Sequence, residues 1–158
     1  MVVTDSELNV ISKEFAINIK QTQEVIDGMN EWCKENLKDV AKNSLESDIS
    51  EAKAEELMLD FIKLYVPQPQ ASPLAGNTIY MDRMFLKKYF PRVDSYLNYR
   101  LIDVSSVKEI CRRWNKDVYN SAPQKSLKHR ALEDVNESIA ELKFYKENFF
   151  KLPSTTNQ

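Results

Sequence analysis

The first half of the chain carries weak hydrophobic patterning. An apolar start at residues 1–4 is followed by the polar turn DSELN at 5–9. The segment VISKEFAINIK (10–20) then alternates, with Ile11, Phe15, Ile17 and Ile19 broadly on one side. That spacing predicts a strand and, with residues 1–4, a β-hairpin. Val25, Ile26, Met29 and Trp32 fall at helical spacing and predict one helix over 22–36. Residues 37–49 fit a short helix or a loop. Ser50 reads as the N-cap of a helix over 51–66, with Leu57, Phe61, Leu64 and Tyr65 as its apolar stripe. The prolines of VPQPQASP (66–73) end that helix.

The second half is more regular. A short apolar segment at 73–77 predicts a buried strand, and YRLIDV (99–104) predicts another. A helix is expected over 80–90, with Met81, Phe85 and Leu86 inward and Arg83, Lys87 and Lys88 outward. Further helices are expected over 105–114, capped by Ser105, and over 131–150, with Leu132, Val135, Ile139 and Leu142 on one face. A polar connection spans 115–128. Strands alternating with helices argue for an α/β fold. One domain over 1–152 and a disordered tail over 153–158 are expected.

Composition narrows the function classes. The chain has 158 residues, 42% of them hydrophobic and 29% charged, and a formal net charge of −2. A general polyanion binder would be more basic, so any contact with nucleic acid is expected at a local site. No segment reaches the roughly 18 apolar residues of a membrane span. The N-terminal MVVTDSEL does not read as a secretory leader. Cys33 and Cys111 share no metal-ligand spacing and are expected as free thiols. Only two glycines occur, where about 7% usage would give roughly eleven.

His129, the single histidine, and Asp134 are the sharpest candidates for chemistry. Five positions on an ideal helix lie about 140° apart, so the two converge more easily if His129 precedes the helix. Histidine titrates near neutrality and suits proton removal from water. A carboxylate beside it suits Mg²⁺ or Mn²⁺, which prefer oxygen ligands. Asp82 follows the 73–77 strand at a helix start, and Asn77 and Thr78 offer hydrogen bonds to a phosphate. Plainer roles compete at every position. A lone histidine before a helix is commonly a cap, and a carboxylate in a first turn is commonly there for the helix dipole. Arg112 and Arg113 beside Trp114 could stack on bases or pack on their own aromatic.

Three blocks taken together carry more information: PLAGNTIYMDRMFLKKYFP (73–91), YRLIDVSSVKEICRRW (99–114) and HRALEDVNESIAELKFY (129–145). In order and spacing they resemble the oligoribonucleases, including the animal small-fragment nuclease form. The resemblance extends over about 2–152 and is densest over 72–150. It implies a ribonuclease H-like mixed sheet flanked by helices and a DEDDh-type 3′→5′ exonuclease. Such an enzyme cleaves very short RNA oligonucleotides to mononucleotides using two divalent ions, Mg²⁺ or Mn²⁺. It further implies Asp82 and Asp134 as metal ligands and His129 as general base. Thr78, Arg100, Ser105 and Ser106 would hold the terminal phosphate, and Trp32 would stack on a base. Tyr99 and Arg100 would reach the partner's site in a homodimer. The implied compartment is cytoplasmic or mitochondrial.

The chain departs from the family pattern twice. The D-x-E pair followed by a Thr-Gly turn, which supplies two further carboxylates, is absent from these 158 residues. A histidine- and glycine-containing segment after WCKEN is also absent. The expectation is a domain lacking its first strand, as a truncated product, a splice form or an incomplete gene model, with weak or no activity. The alternative is a non-catalytic protein that binds short RNA or pairs with a complete subunit.

Overall fold

A computed structural model of the chain describes residues 1–124 and 131–151. Its elements are α1 (Gln23–Asp27), α2 (Glu31–Asn36), α3 (Lys38–Glu46), α4 (Glu51–Tyr65), β1 (Leu74–Gly76), α5 (Tyr80–Tyr89), α6 (Pro91–Tyr96), β2 (Leu101–Asp103), α7 (Val104–Trp114), α8 (Lys116–Asn120) and α9 (Ala131–Asn148). β1 and β2 pair in parallel, with Leu74 opposite Leu101 and Gly76 opposite Asp103. Parallel strands need a crossover, and α5 with α6 provides it. The result is a helix-rich α/β fold around a small parallel sheet. No helix among the described residues is long and apolar enough to cross a membrane.

One core joins Leu59 and Ile62 of α4, Leu86 of α5, and Val93 and Leu97 at α6, with Met58, Phe61, Leu74 and Phe90 packed around it. The carboxylate of buried Glu55 accepts a hydrogen bond from the backbone N–H of Arg92 at 2.7 Å, satisfying an orphan donor at the start of α6. A second buried group, Val104 and Cys111 of α7 and Tyr145 of α9, lies where those two helices pack. Cys33 and Cys111 are both free thiols.

Several elements differ from the expectations above. The N-terminal hairpin shrinks to a single antiparallel bridge, Thr4 with Val10. Ile11 N to Val3 O and Asp5 N to Asn9 O make that bridge, and the arms meet again at Phe15 N to Met1 O. The expected helix over 22–36 breaks in two. Gly28 closes α1, and the Asn30 side chain accepts from Cys33 N to start α2. On α4 the Ser50 cap is present, but the buried positions are Ala54, Glu55, Leu59 and Ile62, while Leu64 is exposed. The 73–77 strand is not fully buried, since Ala75 faces outward. α7 is capped by Asp103 rather than Ser105, and residues 116–120 form α8 within the expected connection.

The largest reversal is on α5. Arg83, expected outside, is buried at 9% exposure, while Met81 and Phe85, expected inside, are exposed along with Tyr80 and Met84. Arg83 turns inward because partners wait there. Its Nη1 donates to Asn98 O at 2.8 Å, its Nη2 to Asp94 O at 3.2 Å, and its Nε lies 2.5 Å from Asp94 Oδ1. A buried guanidinium is tolerated when an opposite charge and backbone acceptors face it in this way.

Candidate active site

The turn between β1 and α5 is the organising element. Gly76 ends the strand at φ 158°, and a Cβ there would sit 2.9 Å from Cδ1 of buried Ile79. Thr78 follows at φ 52°, a left-handed conformation that a β-branched residue rarely adopts. Hydrogen bonds hold it there. Its backbone N–H donates to Asp103 Oδ1 at 3.1 Å and to Ser105 Oγ at 3.0 Å, and the Thr78 and Ser105 hydroxyls lie 3.2 Å apart. Asp103 Oδ1 also accepts from Ser105 N at 2.9 Å, so one carboxylate caps α7 and steadies the turn. Two expected phosphate contacts, Thr78 and Ser105, are thus adjacent although 27 residues apart.

Asn77 connects this turn to α9. Its Nδ2 donates to Glu141 Oε2 at 3.0 Å, and its Oδ1 accepts from Ser138 Oγ at 2.6 Å. Ser138 stands one turn after Asp134 on that helix, and its hydroxyl lies 2.8 Å from Asp134 O. Asp82 stands one turn after Thr78 on α5. The two helices that carry the expected metal aspartates are therefore tied to one short turn. The protein around Asp82 strips enough water from it to raise its carboxyl above the ordinary value, although its side chain still reaches solvent.

The remaining assignments are placed less tightly. Arg100 and Tyr99 are exposed beside the start of β2, with the guanidinium 4.8 Å from the Tyr99 ring centre. Ser106 is exposed in the first turn of α7. Trp32 is half-exposed on α2, which packs against α3. Trp114 is 77% exposed, so it does not pack into its own domain. His129 lies outside the described residues. Spacing did not single out Asp103, Ser138, Glu141 or Lys108, because their roles appear only when distant segments meet.

Asp5, Ser6 and Glu7 spell D-x-E, but they sit at the tip of the N-terminal turn. Asp5 accepts from the Asn9 N–H at 2.8 Å, the Asn9 side-chain amide at 3.0 Å and the Glu7 N–H at 2.9 Å, which holds its carboxyl below the usual range. Glu7 pairs with Lys146. Both carboxylates are thus committed to the turn and its docking. Among the described residues, no group of three or more His, Cys, Asp or Glu side chains gathers to hold a metal ion.

Residues 1–142 match the RNase_T exonuclease family. The chain is 40% identical over 157 residues to the oligoribonuclease of Chromobacterium violaceum, covering 96% of this chain and 84% of that protein. The chain belongs to the oligoribonuclease family of exonucleases. It is also 46% identical over 151 residues to the human mitochondrial oligoribonuclease and 44% identical over 155 residues to the probable oligoribonuclease of Drosophila melanogaster. These alignments cover 94% and 95% of this chain and 63% and 72% of the two proteins. The chain therefore spans less than two thirds of its human relative.

Proposed function

We propose that this chain belongs to a 3′→5′ exoribonuclease acting on very short RNA oligonucleotides and releasing mononucleotides. The observation that carries the reading is the joining of Thr78 to Ser105 in one hydrogen-bonded pocket, tied through Asn77 to the helix bearing Asp134. In this reading the hydroxyls of Thr78, Ser105 and Ser106 donate to the substrate's terminal phosphate, and Arg100 adds positive charge. His129 takes a proton from the attacking water. Trp32 stacks on a base, and Tyr99 with Arg100 serves the neighbouring subunit of a homodimer. The relatives' names support a short-RNA substrate and, for the human protein, a mitochondrial setting. Cytoplasm and mitochondrion are the proposed compartments.

Asp82 and Asp134 are the proposed ligands for Mg²⁺ or Mn²⁺. Mg²⁺ wants about six oxygens in octahedral array and is often held by one or two carboxylates with water and substrate phosphate. Among the described residues no third ligating side chain gathers with these two carboxylates, which makes them a poor fit for a pair of ions. The proposal is accordingly that the 158-residue chain, by itself, cleaves weakly or not at all. The same observation favours a second reading, in which the chain binds short RNA without cleaving it.

The test is to incubate the purified 158-residue chain with a labelled RNA dinucleotide, with Mn²⁺ and with chelator. Binding with little cleavage is the expected result. Cleavage at the rate of a complete relative would overturn the claim of weak activity. Failure to bind any dinucleotide, with or without metal, would overturn the nuclease reading.

A further inference from the structure

Glu141 is a carboxylate in the interior, at 2% exposure, bonded to Asn77 and through it linked to Ser105. A buried charge is costly unless its lone pairs are matched. Here Lys108 Nζ lies at 3.3 Å, the Asn77 amide donates at 3.0 Å, and Tyr145 OH lies at 3.4 Å. The carboxylate fixes which way the Asn77 amide points, because only its NH₂ end can face an anion. With Ser138 donating to the other end, Asn77 is clamped at both ends by residues on successive turns of α9.

That orientation propagates to the pocket. Asn77 Nδ2 also reaches Ser105 Oγ at 3.4 Å, and the Thr78 N–H reaches the same oxygen at 3.0 Å. A serine hydroxyl has two lone pairs and one proton. With both lone pairs facing donors, Ser105 has only its proton left to offer, to Thr78 Oγ1 or to an incoming phosphate oxygen. The same contacts hold Thr78 in its left-handed conformation, which persists only where the surroundings over-determine it.

Resting on the phosphate-pocket reading above, we infer that Glu141 is a positioning residue: acting through Asn77, it holds the Thr78 turn and sets Ser105 as a hydrogen-bond donor toward an anion. It touches neither substrate nor metal in this scheme.

The test compares the full 158-residue chain with Glu141→Ala, Glu141→Gln and Ser138→Ala. Two quantities are read: affinity for uridine 5′-monophosphate by calorimetry, and exchange of the Thr78 amide proton by NMR. Glu141→Ala is expected to weaken nucleotide binding about tenfold, the worth of about one hydrogen bond to a charged group, and to speed Thr78 exchange. Glu141→Gln keeps an oxygen for Asn77 and is expected to restore most of both. If Glu141→Ala fails to fold, Ser138→Ala carries the test, with a smaller loss of affinity and faster Thr78 exchange expected. Unchanged affinity and exchange in the variants that fold would overturn the inference. So would losses that follow melting temperature alone, with Leu59→Ala, in the separate core between α4 and α6, as the stability control. If the unmutated chain binds no nucleotide, the phosphate-pocket reading fails, while Thr78 exchange still decides whether Glu141 holds the turn.

Discussion

Replacing Arg83 with methionine isolates the most consequential buried charge on α5. The substitution keeps an unbranched apolar stem and removes three interactions at once. Those are the 2.5 Å approach to Asp94 and the donations to Asn98 O and Asp94 O. The two side chains are 11% and 17% exposed, so little water is available to replace the lost partner. Asp94 Oδ1 accepts no aligned hydrogen bond, so its compensation is the charge of the guanidinium itself. Breaking a fully buried pair on one side costs about 3–5 kcal/mol, and the residual exposure reduces this to ~2–4 kcal/mol. For a chain of this size that is a drop in melting temperature of about 5–15 °C. Urea unfolding followed by circular dichroism would read it as a lower midpoint at unchanged slope. Replacing both partners, Arg83→Met with Asp94→Leu, is expected to recover ~1–2 kcal/mol of the loss, because no charge is then stranded. A single variant within ~0.5 kcal/mol of the parent chain, or a double variant no better than the single, would refute the reasoning.

Three further outcomes follow from the same geometry. Asp82→Asn should raise the melting temperature slightly at pH 7. A carboxyl raised by desolvation contributes its stability below the unfolded value and loses it as pH rises through the folded one, so the gain should vanish on acidification; a variant equally stabilised at every pH would contradict this. Gly76→Ala should cost ~1–2 kcal/mol, since the added Cβ meets the buried Ile79 side chain in an unfavourable backbone conformation, and a neutral result in thermal unfolding would count against it. Burial pushes the Tyr145 phenol well above its ordinary range, helped by the charge of Glu141. The stability tied to the protonated phenol is complete below the unfolded value and falls as pH rises through the folded one, so Tyr145→Phe should blunt alkaline unfolding; identical alkaline midpoints would contradict it.

What the sequence disclosed depended on how local each signal was. The Ser50 cap, the proline run after α4, and the helices over 104–114 and 131–148 rest on neighbouring residues, and they appear nearly where expected. The break at Gly28 and Asn30 was written in capping chemistry, but apolar spacing at Val25, Met29 and Trp32 outweighed it. Arg83 could not be placed by periodicity, because what draws it inward is Asp94 and two carbonyls beyond the end of its helix. The alternation over 10–20 suits a strand, yet a strand needs a partner along its length, and among the described residues only one bridge forms. Within the site, the family resemblance named Thr78 and Ser105 as companions. The clamp from Glu141 to Asn77, 64 residues apart, has no local signal at all.

Asp82 and Arg83 are consecutive on α5, one reaching solvent and the other buried. Successive side chains project about 100° apart around a helix axis. A helix cannot roll without carrying both, so pinning the guanidinium also sets the azimuth of the carboxylate. An ion meeting Asp82 would find a ligand whose direction is governed from the interior, with only its rotamer left to adjust.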